Sequence, residues 1–162
     1  MLGRVYRGLY KRIAPISFAR SIGVKIGDGC RLINVDFGSE PWLVSLGSRV
    51  SASDTQFITH DGGVWVFREE FPELDVLAPI AVGDNVFIGS RTILLPGAVV
   101  GNDVVIGAGS VVRGSIEPST VVAGVPARKI CTLQDYRNRV LSRGRPTKLL
   151  SSHAKRSHYQ SR

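Results

Sequence analysis

Aliphatic residues recur every six positions through the middle of this chain. Six of them stand in register as the heads of successive hexads: Val82, Ile88, Leu94, Val100, Ile106 and Val112. Glycine follows four of the six, and the residue four positions after each head is small or β-branched. Helices repeat about every 3.6 residues and strands about every two, so neither element alone explains the spacing. A six-residue period instead predicts a parallel β-helix, in which each hexad supplies one strand and one turn.

Weaker copies of this pattern precede the regular block and extend the predicted β-helix to residues 20–131. Ile22, Ile26 and Leu32 fit a first coil, and a second coil restarts in phase at three later positions: Leu46, Ala52 and Ile58. The register slips by two residues between these coils, at 36–41, which we interpret as a bulge or projecting turn. We expect each head to point inward, and the glycine beside it to let the backbone turn the corner.

Residues 61–79 lose the repeat altogether. The segment opens with a turn signal at Asp61, Gly62 and Gly63, continues with a bulky run over 64–67, and contains four carboxylates and two prolines after it. Long irregular segments in compact domains are usually functional or disordered. Because this one combines large aromatic side chains with acids, we predict a projecting loop that faces a ligand.

Residues 1–19 have the pattern of a basic amphipathic helix. The apolar positions follow the spacing of one helical face: Leu2, Val5, Tyr6, Leu9, Tyr10 and Ile13. Arg4, Arg7 and Lys11 fall on another face, and Pro15 is expected to end the helix. Such a helix either packs on the β-helix or a neighbouring subunit, or lies on an anionic membrane surface.

Residues 132–162 contain a shorter helical pattern followed by a basic tail. Thr132 is suited to cap a helix over 132–143, whose apolar face would carry four residues: Leu133, Tyr136, Val140 and Leu141. From Gly144 onward the sequence is polar and basic, so we expect a tail that is disordered in isolation.

The net charge of +8 is concentrated at the two ends of the chain. Residues 1–31 contain seven Lys and Arg against one Asp, and residues 128–162 contain ten against one, while the repeats between them are mildly acidic. Basic ends either keep a protein soluble or attract an anionic partner such as membrane lipid or a phosphorylated ligand. The repeats lack a basic stripe with interleaved aromatic residues, so we do not expect nucleic acid as a partner.

Cysteine usage and hydropathy indicate a compartment. Cys30 and Cys131 lie far apart and form no metal or redox motif, which fits small buried residues in a reducing cytosol. No stretch approaches the ~20 apolar residues of a membrane span, and basic residues interrupt the apolar run that a signal peptide needs. We therefore expect a cytoplasmic location, which leaves open a peripheral contact at the inner membrane.

His60 is the strongest candidate for chemistry. It is the only histidine before residue 153, and it stands where the repeat gives way to the irregular segment. Histidine is the side chain best matched to base catalysis near neutral pH. A lone histidine is usually structural, but this position at a break in the repeat favours a catalytic role.

The chain resembles the hexapeptide-repeat acyltransferases over about residues 20–131. The most specific parts are the hexads over 82–117, the run Thr59, His60 and Asp61, and the closing sequence over 122–127. Residues 37–41 and 59–65 resemble the branch of O-acetyltransferases that act on capsule or lipopolysaccharide sugars. The resemblance implies an all-β fold, a left-handed parallel β-helix with short terminal helices. It also implies acetyl-CoA as donor without a metal, a homotrimer, and active sites between adjacent subunits.

The same resemblance implies roles for single residues on the donor side. His60 would be the general base that takes the proton of a sugar hydroxyl as its oxygen attacks the thioester. Ser90 matches a serine near the thioester, where an oxyanion needs preorganised donors. Five residues stand at or near positions that contact coenzyme A: Phe87, Ala108, Arg113, Arg128 and Lys129. The cations among them suit phosphates, or are ordinary solvated charges.

The predicted acceptor side lies at the two breaks in the repeat. Asn34 stands near the position of an acceptor-binding asparagine in the family, and three further residues are candidates for contact with the sugar: Glu40, Asp61 and Trp65. Trp65 either forms an apolar platform for a sugar ring or packs within its own loop.

The carboxylate that orients His60 stays open at this point. Asp61 is adjacent in sequence, but neighbours on a strand point to opposite faces. The rival orienters are the other acids near the breaks: Asp36, Glu40, Glu69 and Glu70.

Three other functions are compatible with such a fold. A zinc enzyme like the β-helical carbonic anhydrases needs three protein ligands, and the repeats offer one histidine. A non-catalytic scaffold needs neither a histidine nor an aromatic loop at one break. N-acetylation of an amino sugar uses the same base and donor, so the sequence does not separate it from O-acetylation.

Overall fold

Three parallel β-sheets form the faces of a prism, so the chain folds as a parallel β-helix. The computed structural model describes the backbone of residues 2–160 and the side chains of residues 8–160. Successive strands visit the three faces in turn, and each strand pairs with its equivalent in the next coil. In the regular block, paired residues are eighteen positions apart: Val82 and Val100, Ile88 and Ile106, Leu94 and Val112. Three hexads therefore make one coil, as the period predicts.

Each face consists of short strands. The first face contains β1 (Lys25–Ile26), β3 (Val44–Leu46), β6 (Ile80–Val82), β9 (Val99–Val100) and β12 (Ser115–Ile116). The second contains β2 (Arg31–Ile33), β4 (Ser51–Ser53), β7 (Phe87–Ile88), β10 (Val105–Ile106), β13 (Thr120–Gly124) and β14 (Ala127–Thr132). The third contains β5 (Gln56–Phe57), β8 (Ile93–Leu94) and β11 (Val111–Val112). Among these strands only β14 runs antiparallel to its neighbour, β13.

The hexad heads fill the core of the prism. All six from Val82 to Val112 are buried, and four of them have no exposed surface: Ile88, Leu94, Ile106 and Val112. The residues four positions after the first five heads are buried as well. β-Branched side chains stack well on such pleated surfaces, so one column of aliphatic residues runs through neighbouring coils.

The glycines that follow the hexad heads do not turn the corners of the prism as we expected. A Cβ atom on Gly89 would lie 2.8 Å from the Cα atom of Ala108 in the next coil, so glycine is required because the coils stack closely. The corners are instead turned by residues in the left-handed region, such as Asn85, Arg91 and Asp103. Asn and Asp tolerate this conformation better than most residues.

The second coil is shorter than predicted, which corrects the placement of Ile58. Phe57, rather than Ile58, pairs with Leu94 and is buried. Its ring stacks on that of Phe37 in the first coil, with centroids 5.2 Å apart. The first break also begins later than we predicted. Asp36 still bridges to Gln56, and the extra residues follow Phe37 and include a 3₁₀ helix, Pro41–Leu43.

Helices flank the prism at both ends. Helix α1 (Leu2–Ile13) stops before Pro15, which opens a second helix that we did not predict, α2 (Pro15–Ser21). Proline is well suited to the first turn of a helix, because its missing N–H has no intrahelical partner there. Phe18 and Ala19 of α2 are buried against the first coil.

The C-terminal segment is more ordered than expected. Helix α3 (Leu133–Arg143) is capped by Thr132, whose hydroxyl accepts from the amide of Asp135 at 3.1 Å. A further helix, α4 (Ser152–Gln160), replaces part of the predicted disordered tail. The Ser151 hydroxyl accepts from the Ala154 amide at 3.2 Å and so satisfies one of the free donors at the start of α4. Among the described helices, none has the length and apolar character needed to cross a membrane.

Candidate active site

His60 and Glu40 meet where the chain passes from the third face back to the first. Each follows a buried aromatic residue by three positions, Phe57 and Phe37 respectively, so they occupy equivalent places in adjacent coils. The Nδ1 atom of His60 lies 3.0 Å from Oε2 of Glu40. The Glu40 side chain is 16% exposed and that of His60 is 39% exposed. The carboxylate is therefore sheltered, while the imidazole remains accessible to a substrate.

The Glu40 carboxylate is held in its ionised form. The buried hydroxyl of Thr59 donates to the same Oε2 atom at 2.7 Å. This bond does most to lower the pKa of Glu40 below its ordinary value of 4.5; desolvation opposes it, and the contact with His60 lowers the pKa further. An ionised carboxylate can only accept, so Nδ1 of His60 carries a hydrogen. In the neutral imidazole, Nε2 then keeps its lone pair for a substrate proton.

Glu40 is thus the residue that orients His60. No other carboxylate of the described residues lies within ion-pair distance of the imidazole. Asp61 instead accepts from the amide of Gly63 at 2.9 Å and caps the 3₁₀ helix Gly62–Phe67. Asp36 accepts from a backbone amide in its own turn. Glu40 was predicted both as an acceptor contact and as a candidate orienter of His60; its carboxylate contacts His60 and Thr59, which fits the second role.

The projecting segment 61–79 begins directly after His60. Two backbone hydrogen bonds of 2.9 Å close its base, from Asp61 to Val76 and from Ala78 to Thr59. Its apolar side chains face solvent: Trp65, Val66, Phe67, Phe71, Leu74, Val76 and Leu77. Trp65 is 77% exposed, so it does not pack within its own loop. This exposure leaves the Trp65 ring available to a ligand, and its role as an apolar platform for a sugar stays a prediction.

The opposite edge of the third face, where each coil enters it, carries a column of equivalent residues from successive coils. Asp54 accepts from the amide of Asn34 and from the hydroxyl of Ser90, at 2.8 Å in each case. Both bonds hold the pKa of Asp54 below its ordinary value, with Asn34 the larger cause. Ala108 stands next in the column, since the amide of Gly109 donates to the Ser90 carbonyl at 2.9 Å. Three predicted site residues, Asn34, Ser90 and Ala108, thus share one edge, and Asp54 joins the first two.

Asp54 was missed in the sequence, although a signal for it was present. All four members of the column follow an inward-facing residue of the second face by two positions: Leu32, Ala52, Ile88 and Ile106. Once strands of one face are aligned at the coil repeat, this shared offset places the four residues at one corner.

The two polar edges do not meet within one chain. His60 and Glu40 follow the strands of the third face, whereas Ser90 and Ala108 precede them, so the width of that face separates the two sets. The outward side chains of this face include partly buried apolar residues: Ile58, Ile93, Leu95 and Val111. A single chain therefore does not bring His60 together with Ser90.

Phe87 lines an open groove of about 570 Å³ between the second face and α3. Val105 and Val121 contribute apolar surface from the second face, and Tyr136 and Val140 contribute it from α3. Two arginines of α3 that the repeat pattern did not identify also line this groove: Arg139 and Arg143. They were missed because no periodicity indicates that a terminal helix packs beside a strand.

The three cations predicted to bind coenzyme A are divided between two places. Arg128 and Lys129 are exposed on β14, which belongs to the second face like Phe87. Arg113 is also exposed but follows β11, at the edge of the third face that carries His60. In the described part of the chain, no three His, Cys, Asp or Glu side chains are grouped closely enough to hold a metal ion.

Comparisons with known proteins agree with this fold. Residues 79–114 match the family described as bacterial transferase hexapeptide (six repeats). Protein CapG of Staphylococcus aureus is 41% identical over 157 residues, which cover 94% of this chain and 91% of CapG. The putative lipopolysaccharide biosynthesis O-acetyl transferase WbbJ of Escherichia coli (strain K12) is 53% identical over 51 residues, or 32% of this chain and 26% of WbbJ.

A solved structure shares the architecture. A galactoside acetyltransferase in complex with coenzyme A superposes with a TM-score of 0.59 at 29% identity. The match covers 72% of this chain and 58% of that protein.

Proposed function

Because the chain belongs to the bacterial hexapeptide-repeat transferases and is an acetyltransferase, we propose that it acetylates a sugar hydroxyl, using acetyl-CoA as donor. The acceptor is a capsular or lipopolysaccharide glycan or its precursor. A sugar acceptor is supported by the galactoside acetyltransferase and by WbbJ, whose name refers to lipopolysaccharide biosynthesis. The observation that carries the proposal is the contact between His60 and Glu40 at the base of an exposed aromatic loop.

The reaction proceeds through His60 as general base. Its Nε2 atom takes the proton of the acceptor hydroxyl while that oxygen attacks the thioester carbonyl of the donor. The oxygen–acetyl bond forms, the carbon–sulfur bond breaks, and His60 returns the proton to the departing sulfur. Glu40 holds Nδ1 throughout and stabilises the imidazolium that forms between the two proton transfers. General-base catalysis of this kind typically accelerates a reaction by about 10²–10⁴-fold.

Donor binding is assigned to the second face and its edge. The groove beside Phe87 offers apolar surface to the pantetheine arm, and Arg139 and Arg143 offer guanidinium groups to the phosphates. Ser90 is assigned to the thioester side, and the backbone at Ala108 to the arm. Arg128 and Lys129 of the same face are assigned to the phosphates as well. Arg113, which lies at the edge that carries His60, is assigned to the phosphates of a donor held by the neighbouring subunit.

A complete site on this proposal requires a second subunit. His60 lies on one edge of the third face and Ser90 on the other, so a neighbouring prism must bring the second edge to the first. We assign the assembly as a homotrimer of left-handed β-helices, a closed arrangement that supplies three equivalent sites. Asn34, Asp61 and Trp65 are the proposed acceptor contacts. We also place the enzyme in the cytoplasm, at the inner membrane where lipid-linked glycan precursors are built.

The test is acetyl transfer by the full-length protein. Protein, acetyl-CoA and candidate capsular or lipopolysaccharide oligosaccharides are mixed, and free coenzyme A thiol is followed with time. Mass spectrometry locates the added acetyl group, and its removal by mild alkali distinguishes an ester from the amide that N-acetylation would give. We expect thiol release that depends on the acceptor and an alkali-labile product.

Two variants test the catalytic assignment. His60→Ala should lower the rate by about 10²–10⁴-fold. His153→Ala is the matched control, because His153 is exposed in α4, outside the β-helix. Full activity of His60→Ala would refute the general-base role. If the protein binds acetyl-CoA but transfers the acetyl group to none of the sugars, the proposed acceptor class is refuted.

A further inference from the structure

Two apolar side chains at the described end of helix α1 are uncovered. Leu9 is 54% exposed and Ile13 is 73% exposed. These residues are four positions apart, so they lie side by side on one face of the helix. Tyr10 is the residue that attaches this part of α1, since its ring meets that of Phe18 edge-on with centroids 5.9 Å apart. The described end of α1 is therefore held at one side while its most apolar surface faces solvent.

The same helix is strongly basic. Its twelve residues include four Lys and Arg and no acid. Arg12 lies on the flank of the face formed by Leu9 and Ile13. It is exposed and forms no ion pair with any side chain that the structure describes. Lys11 lies on the opposite side of the helix, where it lines a cleft with Asn34 and Asp36 of the prism. Positive charge beside an uncovered apolar face is the combination that places a helix in the interfacial layer of an anionic membrane.

We propose that the face of α1 centred on Leu9 and Ile13, with Arg12 beside it, binds the surface of a membrane rich in anionic lipid. This inference deepens the membrane location given in the proposed function, but it does not depend on the reaction. The apolar side chains enter the boundary between headgroups and acyl chains, and Arg12 meets lipid phosphates. A second copy of the chain fits less well as the occupant, because two such helices would bring like charges together.

The position of α1 in the fold supports this orientation. Helix α1 contacts α2, and α2 covers the first coil. His60 follows the second coil, so the proposed catalytic residue lies near the end of the prism that carries α1. Neighbouring strands are about 4.8 Å apart, which places the two coils within a short distance of one another. Membrane docking through α1 thus brings the catalytic end toward lipid-linked substrates.

The experiment is co-sedimentation of the full-length protein with lipid vesicles. One set contains phosphatidylglycerol and phosphatidylcholine, and the other contains phosphatidylcholine alone. We expect binding to the anionic vesicles, little binding to the zwitterionic ones, and release by high salt, which screens surface charge. The double variant Leu9→Ser with Ile13→Ser and the single variant Arg12→Glu should each lower the partition coefficient about tenfold or more.

Matched controls come from the C-terminal segment, which is also basic. Leu149→Ser with Leu150→Ser, and separately Arg145→Glu, make the same changes at exposed positions outside α1. These controls should bind anionic vesicles like the wild type. Circular dichroism and a thermal melt of every variant establish that the β-helix is intact.

Three results would overturn the inference. One is no binding of the wild type to anionic vesicles, and another is loss of binding in the C-terminal controls while the α1 variants still bind. The third combines two observations: the wild type does not bind vesicles, and the Leu9 and Ile13 double variant has a lower molecular mass in solution than the wild type. This face of α1 would then be covered by a second copy of the chain. Thiol release with a water-soluble acceptor is measured in parallel, so a failure of the proposed reaction is distinguished from a failure of membrane binding.

Discussion

Replacing Glu40 by glutamine tests whether this carboxylate sets the proton on His60. Glutamine keeps the size of the side chain but offers either an oxygen or an NH₂ group to Nδ1, so it no longer forces a hydrogen onto that atom. When the NH₂ group faces Nδ1, the hydrogen moves to Nε2 and the imidazole can no longer act as a base. We therefore expect a lower kcat with a smaller change in KM.

The size of the effect follows from the geometry. The contact is one charge-assisted hydrogen bond of 3.0 Å, and such bonds contribute about 1.5–3 kcal/mol. Since about 1.4 kcal/mol corresponds to a tenfold change in rate, kcat should fall between about tenfold and about a hundredfold. The lower end is expected because His60 is 39% exposed and water competes for Nδ1.

The assay is steady-state thiol release, with Glu70→Gln as the matched control. Glu70 is exposed on the projecting segment and forms no ion pair among the described residues, so its variant should keep the wild-type kcat. The double variant with His60→Ala should be no slower than His60→Ala alone, because Glu40 acts through His60. Wild-type kcat in Glu40→Gln, or a loss that multiplies that of His60→Ala, would refute the positioning role.

Three further predictions concern stability, measured by urea unfolding. Gly89→Ala should lower the free energy of unfolding by ~1–3 kcal/mol because its Cβ would meet the backbone of the next coil. Gly62→Ala, which has open space around it, should change the free energy of unfolding by less than ~1 kcal/mol. Equal effects of the two substitutions would contradict the argument that glycine is needed for close stacking of the coils. Ile106→Ala should cost ~2–5 kcal/mol because Ile106 is fully buried, and Val99→Ala, at a 47% exposed position, should cost far less. Because the pKa of Glu40 is lowered in the folded protein, the wild type should be more stable than Glu40→Gln at pH values above 4.5, the ordinary pKa of the group. This difference should be lost as the pH falls through the folded pKa. If the free energies of unfolding of the two proteins change in parallel from neutral to acid pH, the prediction is refuted.

The regular part of the β-helix was readable from the sequence because its period is local and unbroken. Each head from Val82 to Val112 is buried as predicted. The prediction failed at Ile58, where the second coil is one residue shorter than a strict hexad count requires. Phe57 occupies the inward position because it stacks on Phe37, a partner twenty residues away that a six-residue count does not consider.

The site was readable only in part. His60 was identifiable because it is a lone histidine at a break in the repeat. Its partner Glu40 remained one of several candidate orienters, since the choice depends on how the chain folds after Phe37. Asp54, which joins Asn34 to Ser90, was missed because each of these residues looks like an ordinary turn residue in its own hexad. Their relation becomes visible only when successive coils are superimposed.

The ends of the prism determine whether copies of this protein could polymerise end to end. Stacked parallel strands expose unpaired backbone groups at the first and last coil, and such edges invite another chain to add strands. Here α2 packs against both β1 and β2 at one end. At the other end β14 reverses direction along β13 and presents Arg128 and Lys129. On the second face, the stack of strands that makes the rod rigid is therefore closed at one end by a helix and at the other by an antiparallel strand, which limits growth into filaments along that face.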